Sequence, residues 1–347
     1  MNKNISQENK CSQKCAVDFL KLIMAFFVVG IHSQISKFFG PVGEGVLDNI
    51  FALAVPYFFI CSGYFLFNKI NISNINKENS IVITNYLKKI IKLYIVWSII
   101  YLPLTIYGEL FVWKTSIVKA IIKIIKNYIL VGENFYSWQL WYLLGLIVAV
   151  IIIYFLAKLK LNYKIITIIS LVLFLIGIGI DIDTLSVNEV FENQLNVYYT
   201  VFSTTRNGFF YGFFYVSLGM LIANKEEKIG IIDIAILILS IVGLLLFNAS
   251  PFKRLYIALL AFIIFKISLN VNLKNSPIYL ICRKLSIKVY LIHMYFVAIY
   301  RLFISSNEDV YNYLVCFVFA SLLSVIVAVI FDTIDKKTNI KLAKLLF

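Results

Sequence analysis

The sequence predicts an all-α, polytopic membrane helix bundle of about ten transmembrane helices. Hydrophobic residues make up 61% of the 347 residues, charged residues only 14%, and the mean hydropathy is +0.89. A typical soluble domain carries about 25% charged residues. Apolar runs of about 20 residues, the length that spans a bilayer, recur along the whole chain. The polar segments between these runs are too short to bury a hydrophobic core of their own.

Ten apolar segments have the length of a membrane span. They are 16–39, 46–67, 86–107, 137–157, 163–181, 206–223, 231–249, 253–270, 284–303 and 310–331. The stretch 111–131 differs from them because Lys114, Lys119, Lys123 and Lys126 recur among Ile and Val residues. This pattern favours an amphipathic helix in the membrane interface over an eleventh span.

The distribution of basic residues predicts the orientation. With both termini in the cytoplasm, 22 of the 32 Lys and Arg residues fall in cytoplasmic tails and loops, as the positive-inside rule requires. The segment 182–205, predicted to be an outer loop, has neither Lys nor Arg, and 68–80 is predicted to be a cytoplasmic linker. We therefore expect cytoplasmic tails at 1–13 and 332–347 around one membrane domain, 14–331. This orientation explains the net charge of +14, so a nucleic-acid partner is not expected.

The cysteines, the N-terminus and the lack of a nucleotide-binding motif each argue against one class of site or protein. Cys61, Cys282 and Cys316 lie in or near apolar spans and are expected to be reduced packing residues. Cys11 and Cys15 are not followed by a pair with zinc-ligand spacing, so no metal site is expected. The first residues are polar and the first apolar run is long, which argues against a cleavable signal peptide. No Gly-rich nucleotide loop is present, so a primary pump is not expected.

The first apolar segment carries three titratable residues at helical spacing: Asp18, Lys21 and His32. An α-helix turns about 100° and rises about 1.5 Å per residue. Lys21 and His32 therefore lie within roughly 20° of each other and about 16 Å apart along the axis. Titratable residues inside a membrane helix are costly and usually face the bundle interior or a water-filled cavity. These three residues are therefore candidates for a functional site.

A simpler interpretation remains open for each of them. Asp18 and Lys21 can form an ion pair at the cytoplasmic end of the span, with the Lys21 amine reaching toward water. His32 lies in the outer half of the span and is followed by Ser33 and Gln34, so it can be an interfacial or packing residue. An imidazole that titrates near physiological pH is also the standard general base for a hydroxyl.

Further polar and aromatic residues in the spans are candidates for substrate binding. They are Ser62, Trp141, Tyr142, Arg206, Asn207 and His293. For Ser62, which precedes a glycine, helix packing alone is the favoured interpretation. For Trp141 an aromatic belt is favoured, and the alternative is that Trp138 and Trp141, beside Gln139, form a wall that binds a sugar ring. Arg206 can reach to the outer surface or present a cation that orients a substrate carboxylate or phosphate. For His293, a buried hydrogen-bonding role and a role in the site are equally open.

Taken in order, these residues resemble the acyltransferase-3 family of integral-membrane acyltransferases. In that family a basic residue, usually Arg, precedes an essential His by the spacing that separates Lys21 from His32. Four further segments resemble family motifs in the same order. They are Val55-Pro56-Tyr57-Phe58-Phe59 with Ser62-Gly63-Tyr64, Leu140-Trp141-Tyr142-Leu143, Arg206-Asn207-Gly208-Phe209-Phe210 with Leu218-Gly219, and Tyr290-Leu291-Ile292-His293. The resemblance covers about residues 14–331.

The resemblance implies a bacterial plasma-membrane enzyme that takes an acyl group, most often acetyl, from a cytoplasmic acyl-CoA. The acceptor is then a hydroxyl of an envelope glycan or glycolipid at the outer side. His32 would deprotonate that hydroxyl or carry the acyl group, and Lys21 would pair with a CoA phosphate or with Asp18. Glu44 and Asp48, just beyond the first span, are candidates to orient His32. Acyl-CoA is a co-substrate here, and no tightly bound cofactor is implied.

Two positions depart from the family pattern. The first-span Arg is Lys21 here, which keeps the charge but lacks the planar guanidinium that grips phosphate at two points. The position before Leu140 is often His and is Gln139 here. These departures resemble the branch that contains the membrane half of the vancomycin-resistance serine racemase, a half assigned to serine uptake. A transporter for a serine-like amino acid is therefore the alternative function, and a scaffold subunit of envelope assembly is a third.

Overall fold

The computed structural model describes residues 14–181, 189–225, 228–247, 252–305, 309–337 and 346. Every secondary-structure element in these ranges is helical, which confirms the predicted all-α class. The α-helices are α1 (Cys15–Ser33), α2 (Gly40–Phe51), α3 (Ala54–Phe67), α4 (Lys77–Tyr107), α5 (Ile117–Lys126), α6 (Trp141–Lys158), α7 (Tyr163–Ile180), α8 (Glu189–Phe202), α9 (Phe213–Ala223), α10 (Ile231–Leu246), α11 (Lys253–Asn270), α12 (Pro277–Ile299) and α13 (Val310–Lys337).

Seven helical segments are long and apolar enough to cross a membrane. They are Cys15–Ser33, Ile35–Phe67, Lys77–Val112, Trp138–Lys158, Tyr163–Ile180, Pro277–Ile304 and Val310–Asp335. Gly208–Ala223 and Ile231–Leu246 are apolar but shorter, and α11 carries Lys253, Arg254 and Lys266. Each of the ten predicted spans overlaps at least one α-helix. The protein is thus a multi-pass membrane protein, while the count of ten and the orientation stay predictions.

The boundaries of the first two predicted spans differ from the structure. Helix α1 ends at Ser33 because Gln34 adopts a left-handed conformation, with φ of 60°. A short 3-10 helix, Ile35–Phe39, then leads into α2. The predicted second span is divided between α2 and α3 by a turn at Ala52 and Leu53. Pro56 has no N–H to donate to the carbonyl four residues earlier, so a continuous helix would leave that carbonyl unbonded.

Two predicted connecting segments contain helix. In the predicted linker 68–80, α4 begins at Lys77, where the Asn76 side chain accepts a hydrogen bond from the Asn79 N–H at 2.8 Å. An Asn cap of this kind begins a helix well before its apolar part. The predicted outer loop 182–205 contains α8, and its residues 182–188 lie outside the described residues.

The two predicted tails differ in how much of them the structure describes. The N-terminal tail, 1–13, lies outside the described residues. At the other end, α13 continues to Lys337, so the predicted domain boundary at 331 falls within a helix.

The predicted amphipathic segment is a short helix with a strongly apolar exposed face. In α5 the side chains of Ile117, Val118, Ile121 and Ile122 are all exposed. Lys123 on the same helix forms an ion pair with Glu109 at 2.8 Å. An isolated helix that exposes so much apolar surface requires a lipid or protein environment. Its location in the membrane interface stays a prediction, and this geometry supports it.

The centre of the bundle is formed where α3 and α9 cross at very short distance. A Cβ atom added at Gly63 would lie 2.2 Å from the Val216 carbonyl oxygen. One added at Gly219 would lie 2.2 Å from the Ile60 carbonyl oxygen. Small residues at such crossings let membrane helices pack backbone to backbone. This crossing fixes the position of Ser62, which precedes Gly63 on α3.

Candidate functional site

Two histidines far apart in sequence meet near the predicted outer end of the bundle. His32, in the last turn of α1, and His293, on α12, have ring centroids 5.4 Å apart. Trp138, in the 3-10 turn before α6, stacks against His32 with centroids 6.1 Å apart and ring planes inclined by 24°. The structure thus unites the only two histidines of the chain in one site, a pairing that sequence spacing did not indicate.

The hydrogen bonding of His293 fixes which of its nitrogens carries the proton. Its side chain is fully buried, and Nδ1 lies 3.1 Å from the Val289 carbonyl oxygen. A carbonyl only accepts, so Nδ1–H is the donor and Nε2 retains its lone pair. Among the described residues, nothing forms a hydrogen bond with that Nε2. A buried nitrogen with an unused lone pair is a proton acceptor held in place.

An ion pair forms at the other end of α1, which is one of the two interpretations that the sequence left open. Asp18 is 2% exposed, and its carboxylate lies 3.9 Å from the Lys21 amine and 3.9 Å from the Arg283 guanidinium. The Lys21 amine also lies 4.3 Å from the centroid of the Phe65 ring. Lys21 is therefore directed into the bundle rather than toward water, and a second cation from α12 joins the pair.

A series of side-chain contacts lies between the two ends of α1. Ser62 is three residues before Phe65 on α3, and its hydroxyl lies 2.9 Å from the Tyr142 hydroxyl. The Tyr142 and Tyr290 rings are 5.6 Å apart, and the Tyr290 and His293 rings are 6.2 Å apart. Tyr142 and Tyr290 are both buried, so this part of the series is packed. The structure thus brings Ser62 and Tyr142 together and links them to the histidine pair.

Arg206 and Trp141 form a second group beside the histidine pair. The guanidinium carbon of Arg206 lies 5.7 Å from the centroid of the Trp141 ring. Arg206 also contributes to the wall of a cavity of about 440 Å³ that Glu44, Asp48 and Lys253 line as well. This cavity offers both carboxylates and cations to a polar molecule. No hydrogen bond or ion pair in the described ranges joins Glu44 or Asp48 to His32, so the contacts do not support the prediction that one of them orients it.

Asn207 has a structural role in this geometry. Its side-chain oxygen accepts hydrogen bonds from the Phe209 and Phe210 N–H groups at 2.9 and 3.1 Å. Its amide nitrogen donates to the Tyr198 hydroxyl at 2.8 Å. These bonds cap the helical turn that precedes α9 and hold Arg206 at the mouth of the cavity. The predicted contact of Asn207 with substrate stays a prediction.

Sequence reasoning missed Glu133 as a residue of this site. Glu133 lies in the segment between α5 and α6 and interacts electrostatically with Arg206 and Tyr290. Burial raises the pKa of the Glu133 carboxyl, and the positive charge of Arg206 opposes that rise. The sequence does show a lone carboxylate five residues before Trp138, which could have marked Glu133 as a candidate. Nothing in the sequence indicates that this segment folds back toward α12.

Replacing Glu133 by Gln is expected to raise the thermal unfolding midpoint at neutral pH. Because burial raises the pKa of Glu133, the folded protein holds the carboxyl proton more tightly than the unfolded chain does. In the unfolded chain a Glu side chain titrates at about pH 4.3. Stability then falls as pH rises from that value through the folded pKa. Melting curves of the detergent-solubilised protein over this pH range should decline more for the wild type than for Glu133→Gln. A lower midpoint for the variant at neutral pH would contradict this expectation.

The fold and the site define a class of protein: a multi-pass helical membrane protein with a polar, titratable cluster at each end of its first helix. The chain belongs to the acyltransferase-3 family, whose acyltransferase domain matches residues 16–333. It is therefore a member of a family of membrane acyltransferases, as the sequence resemblance predicted.

Curated relatives include enzymes named as racemases. The chain is 26% identical to a serine/alanine racemase of Enterococcus gallinarum over 295 residues, which is 81% of this chain and 40% of that protein. It is 29% identical to an amino-acid racemase of Enterococcus faecalis over 217 residues, or 61% of this chain and 28% of that protein. The chain thus spans less than half the length of these relatives. No solved structure matches it.

Proposed function

We propose that this protein transfers an acyl group, most simply acetyl, from a cytoplasmic acyl-CoA to a hydroxyl of an envelope glycan or glycolipid. The reaction takes place across the bacterial plasma membrane. The observation that carries this proposal is the pair of imidazoles, His32 and His293, at the opposite end of α1 from the Lys21 and Asp18 pair. Acyl transfer to a hydroxyl needs a group that accepts a proton or carries the acyl group, and an imidazole does either.

The cluster around Asp18 suits the donor. Lys21 and Arg283 each lie 3.9 Å from the Asp18 carboxylate, so two cations share one negative charge. The group as a whole keeps one positive charge with which to attract a CoA phosphate. Arg283 also supplies the planar guanidinium that Lys21 lacks compared with the usual family residue. Lys21 thus keeps the role that the family resemblance implies, with Arg283 as its partner from α12.

The acceptor side is formed by aromatic and charged groups near the histidines. Trp138, which stacks on His32 and is 36% exposed, provides aromatic surface against which a sugar ring packs. Arg206 at the wall of the neighbouring cavity orients an anionic group of the acceptor. Ser62 and Tyr142, whose hydroxyls are 2.9 Å apart, belong to the packed series of side chains between the donor end and the acceptor end. Acyl-CoA serves as co-substrate, and the proposal involves no metal and no bound cofactor.

The test uses radiolabelled acetyl-CoA and membranes that contain the protein. Label is expected in membrane-associated glycan or glycolipid, at a rate that depends on the protein. Membranes that lack the protein are the matched control. Equal incorporation in both preparations would reject acyl transfer from acetyl-CoA.

An amino-acid transporter is the second candidate, favoured by one observation. The cavity beside Arg206 is lined by both carboxylates and cations, which suits a molecule that carries an ammonium and a carboxylate. The names of the relatives, serine/alanine racemase and amino-acid racemase, concern molecules of this kind. Uptake of labelled serine into proteoliposomes that contain no CoA would support transport, and absence of uptake together with acetyl labelling would reject it.

A further inference from the structure

His293 has the geometry of a proton acceptor rather than of a binding residue. Its Nδ1–H is held by the Val289 carbonyl, and its Nε2 has no hydrogen-bond partner among the described residues. An unbonded polar atom in a buried site lowers stability, because it has lost its hydrogen bonds to water. Such a cost is tolerated where the atom has a partner in the working state of the protein. The hydroxyl of a bound acceptor is a partner of this kind, and the His32 ring is 5.4 Å away.

We propose that the two histidines divide the reaction, with His32 carrying the acyl group and His293 accepting the proton of the acceptor hydroxyl. This inference rests on the proposed acyl transfer. His32 is partly exposed and none of its ring atoms forms a hydrogen bond within the described ranges, so its ring nitrogens are open to attack an acyl carbonyl carbon. His293 is fully buried, with one nitrogen already bonded, so a thioester cannot reach it while a proton can.

The two steps balance in atoms and charge. In the first, a nitrogen of neutral His32 attacks the thioester carbonyl carbon, the C–S bond breaks, and the leaving CoA sulfur takes the proton of the other His32 nitrogen. In the second, the acceptor oxygen attacks the same carbon and its proton passes to His293 Nε2. The C–N bond then breaks, and His293 returns that proton to the departing His32 nitrogen. Both imidazoles are neutral again at the end.

The test compares His293→Asn with His32→Ala in membranes given radiolabelled acetyl-CoA and quenched rapidly. The Asn amide can keep the donor to the Val289 carbonyl but has no basic nitrogen, so it is the matched variant. Label on the protein itself is expected to accumulate in His293→Asn, while glycan labelling falls about 100-fold or more. His32→Ala is expected to show neither label. Glycan labelling at the wild-type rate in His293→Asn would overturn the proposal, as would its loss without any labelled protein.

A second measurement separates a missing base from a misfolded protein. His293→Ala leaves a space the size of its ring, and added imidazole is expected to restore glycan labelling to this variant. A misfolded protein would gain nothing from imidazole, so absence of rescue in a variant that elutes as a folded particle counts against the proposal. If wild-type membranes label no glycan at all, acyl transfer itself is rejected and this division falls with it. Wild-type labelling with an active His293→Asn rejects only the division.

Discussion

A His32→Ala variant is expected to lose acetyl transfer to membrane glycan by about 100-fold or more. General-base or nucleophilic groups typically contribute factors of about 10² to 10⁴, and His32 is the more exposed of the two imidazoles. The rings of His293 and Trp138 contact His32 from other segments, so the His32 ring is held in place by residues that the substitution leaves unchanged. The measurement is initial labelling of glycan from radiolabelled acetyl-CoA, normalised to the amount of protein in the membrane.

Ser33→Ala is the matched control for this variant. Ser33 is the next residue, is equally part of the last turn of α1, and its hydroxyl bonds only to the Gly30 carbonyl of its own helix. The contact that Arg301 makes there is with the Ser33 backbone oxygen, which the substitution keeps. Transfer close to the wild-type rate is therefore expected. Unimpaired labelling in His32→Ala would remove the chemical basis of the proposed function.

A Gly63→Ala variant is expected to be severely destabilised, by about 3 kcal/mol or more, since overpacking a close contact already costs about 1–3 kcal/mol. The new Cβ would lie 2.2 Å from the Val216 carbonyl oxygen, which belongs to a helix backbone and cannot rotate away. Helices α3 and α9 must then separate. We expect a lower thermal midpoint in detergent and a lower yield of folded protein. Activity should fall as well, because the adjacent Ser62 would lose its 2.9 Å contact with Tyr142.

Gly179→Ala provides the comparison for this effect. A Cβ at Gly179 would have no atom within 4 Å, and the residue lies in α7, where alanine favours the helix over glycine. Its melting temperature is expected to equal or slightly exceed that of the wild type. If Gly63→Ala melts like Gly179→Ala, the close α3–α9 crossing is not the contact that holds the centre of the bundle together.

The sequence by itself determined the membrane character, the helical class and the family. Hydropathy summed over about 20 residues is a local property, and a bilayer selects for it directly. The pair of Asp18 and Lys21 was likewise readable, because residues three apart on one helix are neighbours whatever surrounds them. The exact helix boundaries were harder to predict from the sequence. The division near Pro56 follows from a hydrogen bond that proline cannot donate, and the early start of α4 at Lys77 follows from one that the Asn76 side chain accepts. Hydropathy records neither of these single bonds.

Only the tertiary structure decided which groups form the site. Helical periodicity states which face of α1 carries His32, but not which of the other helices lies against that face. The partner proved to be α12, 261 residues further on, and its His293 is held by a bond to its own backbone. Trp138 and Glu133 join the histidine end of the site, and Arg283 joins the Asp18 end, through contacts between segments that are far apart in the sequence. Packing between helices depends on the shapes of whole surfaces, and no spacing within one segment encodes it.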